Sequence, residues 1–148
     1  MIKSIIVLCL FLAVSSARDI VHTKCDSTSG TIESFDMDPC DSDICILRPN
    51  TDVVFTGQII PTISAEKPTL SIQVKMGYSY IEYPGLSQDA CEYFECPLKA
   101  NVANHFKVEM ETFGWFPPMV TDMRFHVYES ADGEELACAQ SKIEIAPY

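Results

Sequence analysis

The side chains in this sequence that could do covalent or metal chemistry are mostly cysteines. Cys25, Cys40, Cys45, Cys91, Cys96 and Cys138 lie beyond residue 17, and Cys9 sits inside an apolar run near the start. An even set of six points to a disulfide framework made in an oxidising compartment. The two close spacings suggest Cys40–Cys45 and Cys91–Cys96 as local loops. Cys25–Cys138 then ties the first strand to the last, although spacing alone does not choose among the pairings. A zinc site would use the same residues, but no CxxC pair exists and only His22 stands near a cysteine, Cys25. Once the thiols are oxidised no sulfur nucleophile remains. His22, His105 and His126 lie in or beside strands, on the polar parity where parity can be read, and read as solvated surface histidines. Asp41 with Asp43, and Glu134 with Glu135, sit in segments of turn composition and read as surface charge. There is no GxSxG elbow, no HExxH and no phosphate-cradling glycine loop. The expectation is a protein that is not an enzyme and holds no cofactor and no metal.

The elements that carry these residues begin with a leader. Lys3 gives a positive start, Ile5 to Val14 is apolar but too short for a membrane span, and Ser15 and Ala17 are small residues suited to cleavage after Ala17. Residues 1–17 therefore read as a signal peptide and 18–148 as a single domain. Losing Lys3 with the leader takes the formal charge from −11 to −12 and leaves 131 residues, enough for a real core. That acidic balance argues against nucleic acid, which needs clustered Lys and Arg.

Strands follow in close succession. Thr31 to Asp38 alternates, and Pro39 ends it; Ile46-Leu47 is a short stub. In Thr51 to Ile60 the residues Val53, Phe55, Gly57 and Ile59 share a face. Leu70, Ile72, Val74 and Met76 give the cleanest period of two in the chain, and Gly77 breaks it. Tyr78 to Tyr83 follows, then Phe106, Val108 and Met110, then Met123, Phe125 and Val127, then Leu136 to Ile145 after the Asp132-Gly133 turn. No stretch holds a helical period. Seven or eight short strands with turns between them predict an all-β fold, an antiparallel β-sandwich.

The sandwich is rich in apolar bulk, which fills the space between two sheets or lines a cavity there. Phe113-Gly-Trp115-Phe116-Pro-Pro-Met119 is notable because it lies between strands, where a connection is ordinarily polar. Exposed apolar groups in such a place mark binding or membrane contact, and packing beneath the sheet edge is the alternative.

The cysteine order, together with Asp89-Ala-Cys-Glu-Tyr-Phe-Glu-Cys-Pro-Leu98, resembles the ML lipid-recognition domain family, which includes the Niemann–Pick type C soluble sterol carrier and the group 2 mite allergens. Cys25 with Gly30, Asp38-Pro-Cys40, Cys45-Ile-Leu47 and Leu136-Ala-Cys138 fall in the family's order. The resemblance covers essentially all of 18–148. It implies an immunoglobulin-like sandwich of two antiparallel sheets with an internal apolar cavity, and three disulfides, Cys25–Cys138, Cys40–Cys45 and Cys91–Cys96. It places Tyr83, with Ile81, in the pocket, and matches Pro97, Leu98, Phe106, Val108 and Met110 to further lining positions. Val53, Phe55, Leu70, Ile72, Val74, Met76, Phe125 and Val127 join them by parity, with Tyr93 and Phe94 as candidates for the rim. The loop that carries Trp115 would gate the cavity or touch a membrane during transfer. Asn104 stands where the sterol carrier has an aromatic. The function implied is a secreted carrier of one sterol or fatty-acyl lipid. It would be a monomer with transient membrane or acceptor-protein contact and no nucleic acid partner. The alternative is an innate-immune lipid sensor or secreted interaction module. None of Asn50, Asn101 and Asn104 begins a glycosylation sequon, so extracellular fluid is preferred to the endosomal or lysosomal lumen.

Overall fold

A computed structural model describes residues 18–26 and 28–148, so the leader expected at 1–17 lies outside the described residues. The strands are β1 (Arg18–Asp19), β2 (His22–Lys24), β3 (Thr31–Asp38), β4 (Cys45–Leu47), β5 (Asp52–Ile60), β6 (Thr69–Met76), β7 (Ser79–Glu82), β8 (Asn104–Glu111), β9 (Met119–Tyr128) and β10 (Glu135–Ile145). They form a four-stranded sheet in the order β1-β3-β5-β8 and a six-stranded sheet in the order β2-β10-β9-β6-β7, with β4 added beside β10. Every pairing is antiparallel except β4 with β10. The strands read from alternation are all present. β1 and β2 were not legible, because two or three mostly exposed polar residues carry no pattern; they are strands only because β3 and β10 offer them an edge.

The core lies between the sheets. β8 alternates buried and exposed along its whole length, with Phe106, Val108 and Met110 turned inward. Register sets Phe55 beside Val108 and Gly57 beside Phe106. From the facing sheet come Ile72 beside Phe125 and Val74 beside Met123. Phe35 and Met37 of β3 complete the inward set. Glycine is required at Gly57, because a Cβ there would collide with the Ser34 carbonyl of β3 and come within 2.7 Å of the Phe106 ring, which covers that position.

All three expected disulfides form: Cys25–Cys138, Cys40–Cys45 and Cys91–Cys96. Each sits where the chain passes between the sheets. Cys25 follows β2 as the chain leaves the six-stranded sheet, Cys40–Cys45 spans β3 to β4, and Cys91–Cys96 lies between β7 and β8. In the last of these a short 3-10 turn, Ala90–Glu92, is capped by the Asp89 carboxylate, which accepts from the Cys91 N–H at 3.0 Å. The peptide bonds before Pro39 and Pro97 are cis.

Candidate lipid site

The Cys91–Cys96 loop pushes Ala90, Phe94 and Leu98 into the core. The Phe94 ring lies 5.4 Å from that of Phe106. Phe106 in turn packs 4.8 Å from Phe125 and 6.1 Å from Phe35, and Phe35 packs 5.7 Å from Phe55. These five rings come from both sheets and the loop, and they form a filled block. Aromatic pairs at such spacings add to the area they bury.

Farther along the strands the packing loosens. A crevice between the sheets is lined by Leu47, Pro49, Val74, Tyr83, Thr112, Phe113, Phe116, Ile143 and Ile145. Its volume is about 10 Å³, near the least that holds one water. Any larger guest must therefore displace side chains. The displaceable ones are evident. Phe113 and Phe116 belong to the connection between β8 and β9 and stack on Tyr83 at 5.5 and 5.8 Å. Trp115 stacks outside Phe116 at 4.3 Å and is 61% exposed. The loop thus forms an aromatic cover over the crevice.

Tyr83 anchors that cover from below. It is buried, and its hydroxyl donates to the Glu111 carbonyl at 2.9 Å. Burial pushes the phenol up to about 12, with the Glu111 carboxylate adding to the rise and a backbone hydrogen bond at Phe113 opposing it. Thr112, also buried, donates to the Arg48 carbonyl and accepts the Thr51 N–H at 3.0 Å, fixing the root of the loop. No carboxylate, histidine, lysine or arginine lines the crevice and its one ionisable group is the Tyr83 phenol, so what it offers chemically is apolar surface with hydroxyls at one side.

Of the residues expected to line a pocket, Val53, Phe55, Leu70, Ile72, Val74, Tyr83, Phe94, Leu98, Phe106, Val108, Met110, Phe125 and Val127 are buried in one core. Met76 and Ile81 pack against it partly buried. Only Val74 and Tyr83 of the set border the crevice. Pro97 and Trp115 stand at the surface, because Leu98 and Phe116 take the inward positions beside them. Of the other crevice residues, Phe113 and Phe116 belong to the aromatic stretch that the sequence singled out between strands, whereas Leu47, Pro49, Thr112, Ile143 and Ile145 were passed over. Ile143 and Ile145 were readable from their alternation with Lys142 and Glu144.

Two other features are set apart from this site. A concavity of about 500 Å³ lies on the outer face of the six-stranded sheet, where exposed Val21 and Ile44 flank the Asp122–Lys142 ion pair. It is open to solvent and shares no residue with the crevice. His126 corrects the reading of all three histidines as solvated. It is buried on that outer face, where Tyr128 stacks on it at 5.7 Å and Glu135 pairs with it. Parity put it on the polar side correctly, but register places it beside Ser71 and Cys138, so neighbours cover it. His126, Glu135 and Cys138 converge. Cys138 is spent in its disulfide and has no thiolate to offer, so the trio does not make a metal centre.

A sandwich of two sheets, with an apolar crevice and disulfides at its crossings, defines a class, and comparison with known proteins places the chain within it. Residues 19–145 match the ML domain, and the chain belongs to that family. The mite group 2 allergen Tyr p 2 of Tyrophagus putrescentiae is 26% identical over 148 residues, covering 96% of this chain and 98% of the allergen. Pso o 2 of Psoroptes ovis is 28% identical over 109 residues, 74% of this chain and 73% of the allergen. Among solved structures, a Niemann–Pick type C2 protein from Japanese carpenter ant superposes with a TM-score of 0.76 at 16% identity, covering 86% of this chain and all of the other. Chicken MD-1 complexed with lipid IVa superposes with a TM-score of 0.50 at 13% identity, over 88% of this chain and 98% of the other. At those identities the two structures establish the shared fold.

Proposed function

We propose that this protein is a secreted lipid carrier that takes one sterol or fatty-acyl lipid between its sheets and releases it unchanged. The observation that carries the reading is the apolar crevice under a cover of three aromatics on an otherwise exposed connection. Membership of a family whose MD-1 relative has been crystallised with lipid IVa supports it. Binding draws on apolar burial at about 25 cal/mol per Å². Nothing in the site supplies a nucleophile or a general base, which fits carriage without bond making. On this reading residues 1–17 are removed as a leader, residues 18–148 act in extracellular fluid as a monomer, and exposed Trp115 gates the crevice or touches the donor membrane.

The test has two parts. Native mass spectrometry of protein from a eukaryotic secretory host is expected to show one bound lipid per chain. Protein that is always empty and takes up neither fluorescent sterol nor fluorescent fatty acid sinks the reading. Trp115→Ala is then expected to slow lipid transfer between vesicles several-fold while leaving the unfolding midpoint nearly unchanged, since the ring is mostly exposed. Unchanged transfer removes Trp115 from the mechanism.

A further inference from the structure

The two ends of the inter-sheet space differ. At one end Phe35, Phe55, Phe94, Phe106 and Phe125 fill it, each no more than 5% exposed. Phe106 is the hub, touching Phe35, Phe94 and Phe125 and lying over the bare backbone of Gly57. Two of its ring partners, Phe35 and Phe125, sit on strands paired within the sheets, and the third, Phe94, is held in the loop closed by Cys91–Cys96. Displacing this block means unpacking rings held from two sheets and a disulfide-closed loop at once.

The other end is closed differently. Phe113 and Phe116 occupy it from a connection that carries no disulfide and no regular structure, and they are held by ring contacts to Tyr83. Loops of this kind open at far lower cost than central strands. A guest therefore makes room by swinging Phe113 and Phe116 outward and does not disturb the block.

The way in is set by the strands. The crevice borders β10 at Ile145 and Ile143, and six residues back from Ile145 the strand reaches Ala139, which pairs with Phe125 of the block. Six residues of strand are about 20 Å. The sheets there are about 10 Å apart and their inward side chains interdigitate. The path open to a guest that enters from the crevice therefore runs between packed side chains and ends against the block. A flexible unbranched hydrocarbon chain can follow it between side chains. A rigid fused-ring plate needs the breadth that Phe106 and its neighbours occupy.

We infer that Phe106 and the rings around it act as a selectivity stop, so that the ligand of this protein has a single unbranched acyl chain, inserted tail first from the Phe113–Phe116 end, and fused-ring sterols are rejected. This rests on the carrier reading and narrows its ligand class. The polar head remains at the mouth, where the Asn50 N–H donates to the Thr112 carbonyl and Asn50 Nδ2 to the Tyr148 hydroxyl, each at 2.9 Å.

The experiment titrates delipidated protein with two fluorescent probes, cis-parinaric acid for a single chain and dehydroergosterol for a sterol. Wild type is expected to bind parinaric acid at least tenfold more tightly. Phe106→Leu, and Phe106→Ala if it folds, are expected to gain dehydroergosterol affinity at least tenfold. Phe116→Ala is expected to speed parinaric acid uptake. Equal binding of both probes by wild type overturns the selectivity and leaves the carrier reading standing. Selective wild type with no sterol gain in either Phe106 variant overturns the role of Phe106. Binding of neither probe overturns the carrier reading, and this inference with it.

Discussion

At the scale of single residues, Tyr83 shows how a hydroxyl can be placed in an apolar site. Its ring supports Phe113 and Phe116, and its one polar atom is satisfied by the Glu111 carbonyl. A buried phenol without that partner would carry an uncompensated desolvation cost. Tyr83→Phe should therefore cost about 1 kcal/mol, the net worth of one neutral hydrogen bond, with the ring packing intact. The same residue links stability to alkaline pH. The unfolded phenol loses its proton near the ordinary value of 10.0, while the folded one keeps it up to about 12. Its contribution is thus complete below pH 10 and lost as the pH climbs to about 12. Tyr93 and Tyr128 are shifted the same way, chiefly by burial, so wild type alone does not isolate the effect. The difference between wild type and Tyr83→Phe does. Denaturant midpoints measured every half unit from pH 9 upward are expected to converge above pH 10. Parallel curves would mean that the Tyr83 proton is not coupled to folding.

At the scale of elements, alternation in the sequence located the strands that face one sheet with the other, because one side of each is buried and the other wet. Phe106, Val108 and Met110 and the Leu70–Met76 series are the clearest examples. What alternation could not tell was whether inward side chains border space or one another. Phe55, Phe106 and Phe125 meet in a block, whereas Val74, on the same strand as Ile72, borders the crevice. That difference depends on how two sheets and a crossing loop come together, and no local pattern encodes it. Phe113 and Phe116 were visible as an anomaly in a connection, but their support by Tyr83 is a contact of 30 residues and more. Backbone approach is equally invisible. Gly30, at the start of β3, lies so close to β10 that an added Cβ would collide with the Leu136 carbonyl and sit 2.8 Å from that of Ile60. Gly114 is crowded by the end of the exposed Tyr148 side chain only, which can swing away. Gly30→Ala is accordingly expected to destabilise by about 3 kcal/mol or more, in the tail reserved for forced backbone shifts, and Gly114→Ala by less than about 0.5 kcal/mol. Thermal or denaturant unfolding of the pair decides it, and similar losses in both would show that the β3–β10 approach can relax.

At the scale of the molecule, the chain passes between its two sheets repeatedly, and the disulfides are set at three of those passages. The connection from β8 to β9 has none, and it is the one that covers the crevice. Cross-links thus hold the frame at its corners and leave the aromatic cover untethered by any disulfide, the arrangement that the proposed carrier role calls for. The frame's cross-links are not equivalent. Cys25–Cys138 joins residues 113 apart, whereas Cys40–Cys45 and Cys91–Cys96 each close a separation of 5. Loop-closure entropy removed from the unfolded chain grows with the logarithm of that separation. It amounts to about 5 kcal/mol for the long bridge and about 2 kcal/mol for a short one. Replacing Cys25 and Cys138 together by Ser should therefore lower the denaturant-unfolding free energy by more than twice the loss from replacing Cys91 and Cys96. The second pair of substitutions should act more on the site, because Phe94 lies within the loop that the shorter bridge closes and packs on Phe106 from there. Freed of it, the block should loosen, so the Cys91/Cys96 variant is expected to discriminate less between a single-chain and a sterol probe, with most of its stability kept. Unfolding curves and probe titrations on the two variants separate these effects. A Cys91/Cys96 variant that loses as much stability as the Cys25/Cys138 one, or keeps full discrimination, would show that the short bridge does not hold the block in place.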